Sequence, residues 1–424
     1  MITRSGSPPG RDQALPKGEN ERIAMKQPKW SKRSYAAVLG LLPVLLLLTG
    51  CWDRKELNDL GIIVGTGLDK TVEENMVEVS VQLVSPKHAG GGPEGPQKSG
   101  EKPTLARSAR GVTISDALSK MQEKLPRVLF WGHSKVLVIG EELAKGDNLK
   151  DCLDFMARHP KTRLNSYIFI KKGKASDLIA TIPPWEKDSS EVVRELANSH
   201  VSIKMDIKDV LEGLSGDSRA AAIPWVEDAP WLGDSRTEHG FQLKGAAIIK
   251  NGRMVKYVDD SLVRGILWLR DEIQHPTITV SPKETKGYIS MLQLSARTVL
   301  IPEIKNNRWS MTVKVETEDD VLENSSPLSL GTPKYLKLLE EAAEQDIRHR
   351  MEGALKVLQK EANADVIGFA EAFNRKYPKL WEASKGRWDD IFPGVQVTID
   401  VKSKVRRPGL SGGPQGRPKE EIEK

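Results

Sequence analysis

Residues 244–270 read KGAAIIKNGRMVKYVDDSLVRGILWLR and change period halfway along. The runs 244–250 and 253–257 have strand character and flank Asn251-Gly252, a pair that supplies the positive φ angles of a type I′ turn. A two-residue hairpin is the direct reading. After it the apolar residues take helical spacing over 262–270, and Ser261 stands where an N-cap would be. Strand, turn, strand and helix within 27 residues place this half of the chain in the α+β class.

The same grammar continues downstream. Met311, Val313 and Val315 alternate as in a strand with one covered face. Across 335–362, Leu339, Ala343, Ile347, Met351, Leu355, Leu358 and Ala362 recur at intervals of three or four, predicting one long amphipathic helix against a sheet. A second helix should carry Val366, Phe369, Ala370 and Phe373, and Pro393-Gly394 should end the helical part. Val395, Val397, Ile399 and Val401 then alternate in a final strand. A C-terminal domain over 242–407, with the long helix on a largely antiparallel sheet, follows; the Gly-, Pro- and charge-rich residues 408–424 read as a loose, disordered tail.

Upstream, residues 52–199 read as a mixed α/β domain. Strands are predicted over 61–68 and 76–84, where Val77, Val79, Val81 and Leu83 alternate. Thr113 can cap a helix bearing Ile114, Ala117, Leu118, Met121 and Leu125. Apolar runs at 128–131 and 135–139, a helix near 148–158, a strand at 166–171 and helices at 174–182 and 190–197 complete it. The Gly/Pro stretch 88–96 lacks the Lys-Ser/Thr of a phosphate cradle and reads as a surface loop. Residues 200–241 look less regular: one helix at 207–214, then Pro224-Trp225 and Pro230-Trp231. Trp225 and Trp231 are candidates for a partner-docking patch, although packing against a neighbouring domain is the commoner fate of such residues. This middle region is either a connector or part of a second domain, giving three mixed α/β domains in all.

The start of the chain carries a different signal. The apolar residues 36–50 would span about 22 Å as a helix, short of the roughly 30 Å hydrocarbon core. Lys26, Lys29, Lys32 and Arg33 precede them, the order of a secretory signal over 25–50. Leu48-Thr49-Gly50-Cys51 resembles the bacterial lipobox, in which the cysteine sulfur is diacylated before cleavage on its amino side. Two or three acyl chains at about 0.8 kcal/mol per buried methylene hold a protein stably on a membrane. Residues 1–24 are either a disordered leader or lie ahead of a true start at Met25.

Composition agrees with an exported globular protein: 38% apolar residues fill ordinary cores, and the +6 net charge is scattered rather than striped. Nucleic-acid binding has little support. With Cys51 lipidated, Cys152 stands alone on an apolar helix face and reads as a buried structural thiol. Seven histidines fall singly, with no metal-ligand spacing; neither a metal, another cofactor nor a catalytic residue is expected. There is no G-x-S-x-G elbow. His133, within FWGHS, reads as the maker of a structural hydrogen bond.

CWDRKELNDLGIIVGTGLDK, GVTISDALSKMQEKLPRVLFWGHSKVLVIGEELA with DFMARHPKTR behind it, GAAIIKNGRMVKYVDDSLVRGILWL and ADVIGFAEAFNRKYPKLWEASKGRWDDIFPGVQVTIDVKSKVRRPG together resemble the Ger(x)C spore germination lipoproteins, in order and over nearly the whole chain from Cys51 to Gly409. The resemblance implies a three-domain lipoprotein on the outer face of the spore inner membrane. It also implies a non-enzymatic C subunit of a nutrient germinant receptor, working with an A subunit and a transporter-like B subunit to sense germinants and trigger germination. The alternative is an extracytoplasmic solute-binding lipoprotein of a transporter, which needs two similar βαβ lobes around a cleft. A cortex-lytic enzyme is a third reading.

Overall fold

A computed structural model describes residues 59–409, apart from 74–75, 86–102, 147–148, 184–185, 201, 231–238 and 284, and residue 418 beyond them. The signal, the lipobox Leu48-Thr49-Gly50-Cys51, the Gly/Pro stretch, Trp231 and all of the tail except residue 418 lie outside the described residues.

The chain opens with β1 (Leu60–Lys70), β2 (Val77–Val84) and β3 (Thr104–Gly111), an antiparallel trio. Helix α1 (Ile114–Gln122) follows, its N-cap Thr113 accepting a hydrogen bond from the Asp116 amide at 3.1 Å. Next come β4 (Val128–Phe130), β5 (Val136–Gly140), α2 (Glu141–Lys145), α3 (Leu149–Arg158), β6 (Tyr167–Lys171), α4 (Ala175–Ala180), α5 (Ser189–Asn198) and α6 (Ile207–Ser215). Strands β7 (Ala220–Pro230), β8 (His239–Lys250) and β9 (Arg253–Val258) complete a nine-stranded sheet. Its order is β3-β2-β1-β5-β6-β7-β8-β9, with β4 beside the start of β1. The centre is parallel and both flanks are antiparallel.

Both faces of that sheet are covered, so its central strands are apolar on both sides. On β5, Val136 and Val138 pack with Phe169, Leu178, Ile179 and Val193 beneath α4 and α5. Leu137 and Ile139 point the other way, into the main core with α1 and α3. The Asn251-Gly252 turn is observed with φ of 54° and 81°, as the type I′ reading requires.

Residues 220–230, read from sequence as irregular, are a strand paired with β8 along most of its length. Pro224 concealed it, since proline argues against an inner strand; here Pro224 sits at the register shift before Val226, where ladder bonds are interrupted. The large sheet is therefore continuous across residue 242.

Helix α7 (Asp260–Leu269) is capped by Asp259, not Ser261: Asp259 Oδ1 accepts from the Leu262 amide at 3.0 Å. Asp260 instead accepts from the Gly245 amide at 2.7 Å, locking the helix start to β8. The second sheet, β10-β11-β12-β13, comprises β10 (Thr277–Val280), β11 (Ile289–Lys305), β12 (Arg308–Asn324) and β13 (Gln396–Arg407). It is antiparallel except for the β12–β13 pair. β11 and β12 form a 17-residue by 17-residue hairpin turned at Asn306-Asn307, both with positive φ.

The long helix α8 (Pro333–Lys356) buries Tyr335, Leu339, Ala343, Ile347, Met351, Ala354 and Leu355, the expected stripe. Burying each of the Leu, Ile and Met side chains among them stabilises by roughly 1.5–3 kcal/mol. Its continuation differs from a uniform α-helix: Val357–Ala362 is a π-helical turn that ends on Asn363 at φ 44°. Val366 lies in the buried turn that follows, not in a helix, and α9 (Phe369–Lys376) begins after Gly368. Helices α10 (Pro378–Ser384) and α11 (Trp388–Ile391) then lead to β13.

Candidate functional site

At the end of the large sheet where β1 begins, the segments entering β5 and β6 line a cavity of about 540 Å³ with His133, Lys135, Arg163, Asn165 and Tyr167, and α5 adds Arg194. Parallel strands put these entry segments side by side. Lys135 Nζ lies 2.6 Å from Glu191 Oε2 and 3.2 Å from Asp188 Oδ2. Arg194 also binds Glu191. Burial alone would raise the Glu191 carboxyl, but hydrogen bonds and charge from Arg194 and Lys135 outweigh it and hold it at about 2. Arg163 reaches across this end to donate to the Gly132 carbonyl at 3.2 Å.

His133 is exposed, 6.1 Å from the Phe130 ring, and makes no side-chain hydrogen bond among the described residues. The structural bond expected of it is absent there. Cys152 is buried and free, and burial pushes its thiol up to about 12, which leaves it unreactive at neutral pH. Trp225 is 4% exposed within β7; its ring stands 5.2 Å from Tyr257 and its Nε1 donates to Glu227 at 3.1 Å. Packing therefore accounts for Trp225 in this chain. Among the described residues no group of three or more His, Cys, Asp or Glu could hold a metal, and no described helix is long and apolar enough to cross a membrane.

An aromatic cluster with a polar rim joins the two sheets. Trp309, Phe373, Trp381, Trp388 and Phe392 form one aromatic cluster with ring centroids 4.7 to 6.4 Å apart. Polar groups on its rim find defined partners. Trp381 Nε1 donates to Asp217 at 2.7 Å, just ahead of β7, and Lys250 Nζ at the tip of β8 donates to Asp389 at 2.6 Å. Asp365, in the turn after the π-helical segment, accepts from the amides of Ile367, Phe369 and Ala370 and from Trp388 Nε1. Its complete burial raises its pKa.

Sequence reasoning drew attention to Trp225 and missed Trp381, Trp388 and Asp365. The signal was available: three aromatic residues within 381–392 exceed what a surface helix pair carries, and an Asp shortly ahead of an apolar helix can take the free amides of its first turn. These groups fix geometry between elements. They do not assemble a nucleophile with a base.

Two family profiles match the chain. Residues 53–228 match the one described as spore germination protein N-terminal domain, and residues 244–409 the one described as spore germination B3/GerAC like, C-terminal. Spore germination protein KC of Bacillus subtilis (strain 168) is 30% identical over 400 residues, 90% of this chain and 98% of that protein. Spore germination proteins B3 and A3 of the same organism are 25% and 24% identical over 381 and 383 residues. The crystal structure of the GerBC protein, at 21% identity, superposes with a TM-score of 0.54, covering 84% of this chain and all of that one, which shows a shared fold. The chain belongs to the GerAC-like family of spore germination proteins.

Proposed function

We propose that this chain is the lipid-anchored C subunit of a spore nutrient germinant receptor, a non-enzymatic protein that acts with A and B membrane subunits on the outer face of the spore inner membrane. The observation that carries the reading is the end-to-end match to spore germination protein KC, 30% identical over 400 residues. The lipobox Leu48-Thr49-Gly50-Cys51 supplies the attachment. Cys51 precedes Leu60, the first residue of β1, by nine positions, so a lipid on Cys51 would tether the entry end of the large sheet within about 30 Å of the bilayer. Such confinement raises the effective concentration for docking to membrane partners.

The fold also bears on the solute-binding alternative, because the nine-stranded mixed sheet and the four-stranded hairpin sheet are not two similar βαβ lobes. Intact-mass analysis of the chain isolated from spore membranes tests the anchor: a chain that begins at Cys51 and carries acyl mass is expected, and Cys51→Ala should leave the membrane fraction. A free thiol at Cys51 with the leader still attached would overturn it.

A further inference from the structure

The outer half of β11 has a partner on one side only. β10 pairs with residues 289–292, and the last ladder bond on that side runs from the Gln293 amide to the Pro276 carbonyl. Beyond it, residues 295–305 pair with β12, while no described strand lies on their other flank.

Two side-chain contacts fix which backbone groups face outward. The Thr298 amide donates to Asp271 Oδ1 at 2.6 Å, and the Pro302 carbonyl accepts from Lys376 Nζ at 2.8 Å. Alternation along an antiparallel strand then places the amide and carbonyl of Leu300, midway between them, on the same outward side. Pro302 has that parity too, so a residue lacking an N–H is tolerated there without loss of a β11–β12 bond. Side chains take outward groups on the edge of β13 as well, where the amides of Ser403 and Val405 are held by Glu344 and Glu340 of α8; on β11 the outward groups of Leu300, between the two filled positions, have no hydrogen-bond partner among the described residues.

Beside this open edge runs a groove of about 600 Å³ between β11 and α9. Arg297 and Arg375 line it and both are exposed; Arg297 stands opposite Glu316 on β12 and Arg375 feels the charge of Glu371, but neither is in an ion pair within 4 Å among the described residues. The Thr298 hydroxyl is buried there without a hydrogen-bond partner. Val299 is 43% exposed on the same stretch.

We propose that residues 296–302 of β11 are the docking site for an extended acidic segment of a receptor partner, which adds as a strand to this edge. A peptide backbone is the ligand whose donors and acceptors repeat in register with Leu300, and main-chain pairing with side-chain pockets is the general mode of strand addition. Acidic side chains on the added strand meet Arg297 and Arg375. The partner's identity as a receptor component rests on the function proposed above.

The test places a photo-crosslinking residue at position 299 of the full-length chain in spores, with a second at position 322, an exposed site on β12, as control. Irradiated membranes are analysed by mass spectrometry. A crosslink from 299 to one acidic protein segment is expected. Its yield should fall at least fivefold both in Leu300→Pro, which removes the outward amide, and in the double variant Arg297→Glu with Arg375→Glu. Circular dichroism and thermal unfolding of the variants should match the parent, and rescue by Leu300→Val should restore the yield. A crosslink unchanged by Leu300→Pro, a product of phospholipid mass, or no product above the position-322 control would overturn the inference. Co-purification of other membrane subunits reads out separately: if it persists while 299 gives no product, strand addition fails and the receptor assignment stands. If it is absent as well, both fall.

Discussion

Lys250 Nζ lies 2.6 Å from Asp389 Oδ1, a contact that ties the tip of β8 to the aromatic cluster below the second sheet. The lysine is 8% exposed and the aspartate 36%, so the two ends of the pair sit in different environments.

Removing either partner should therefore have unequal effects. Asp389→Ala leaves a buried ammonium with only the Ser218 carbonyl and should cost about 2–3 kcal/mol. Lys250→Met leaves a carboxylate that keeps Arg219 and solvent, and should cost about 1 kcal/mol or less. Urea unfolding of both variants and the double variant measures the coupling; equal losses would contradict the asymmetry.

Glu191 sets an acid-side dependence. Its carboxyl stands at about 2 in the folded chain against an ordinary 4.5. Between those values the unfolded chain binds more protons than the folded one. The stabilisation is full above the unfolded value and is lost as pH falls toward the folded one. Urea midpoints at about pH 3 and about pH 6 should show Glu191→Gln losing less than the parent, by about 1–2 kcal/mol after screening at this partly open site.

Trp225 should behave as a core residue. Trp225→Ala is expected to lower stability by about 3–5 kcal/mol, and Trp225→Phe by much less, in thermal or urea unfolding of the chain alone. An unchanged midpoint for Trp225→Ala would contradict the packing seen against Tyr257.

Gly265 marks the crossing of α7 over α8. A Cβ there would stand 2.3 Å from the Arg350 carbonyl oxygen and 2.9 Å from the Ala354 Cβ. Gly265→Ala should force the helices apart at about 1–3 kcal/mol. Gly386→Ala, where nothing lies within 4 Å, should stay within about 0.5 kcal/mol.

Elements whose local chemistry agrees with their burial were readable from sequence. The alternating valines of β2 and the α8 stripe keep their apolar residues on one face, which period reports, and the Asn-Gly turn is legible from residue type alone. β3 is an edge strand of sequence TLARSARG, with too few apolar positions to register. β11 slips register between Gln293 and Ser295, so its alternation inverts partway and averages out. β7 was hidden by Pro224 at an interruption in its ladder. Ser261 looked like a cap by type, but two aspartates stand before it; the first took the cap and the second the Gly245 amide. The candidate site divides the same way: Cys51 and its three preceding residues are a linear motif, whereas Asp217, Asp365, Lys250 and Asp389 come together only through the tertiary fold.

The role proposed for this chain is to serve nutrient-triggered germination from the membrane. Spores lacking the chain, complemented with the parent or with Cys51→Ala, can be followed by the fall in optical density after addition of a nutrient panel. Loss of the response to at least one nutrient, restored by the parent and restored poorly by Cys51→Ala, is the predicted result. Responses identical with and without the chain across the whole panel would contradict it.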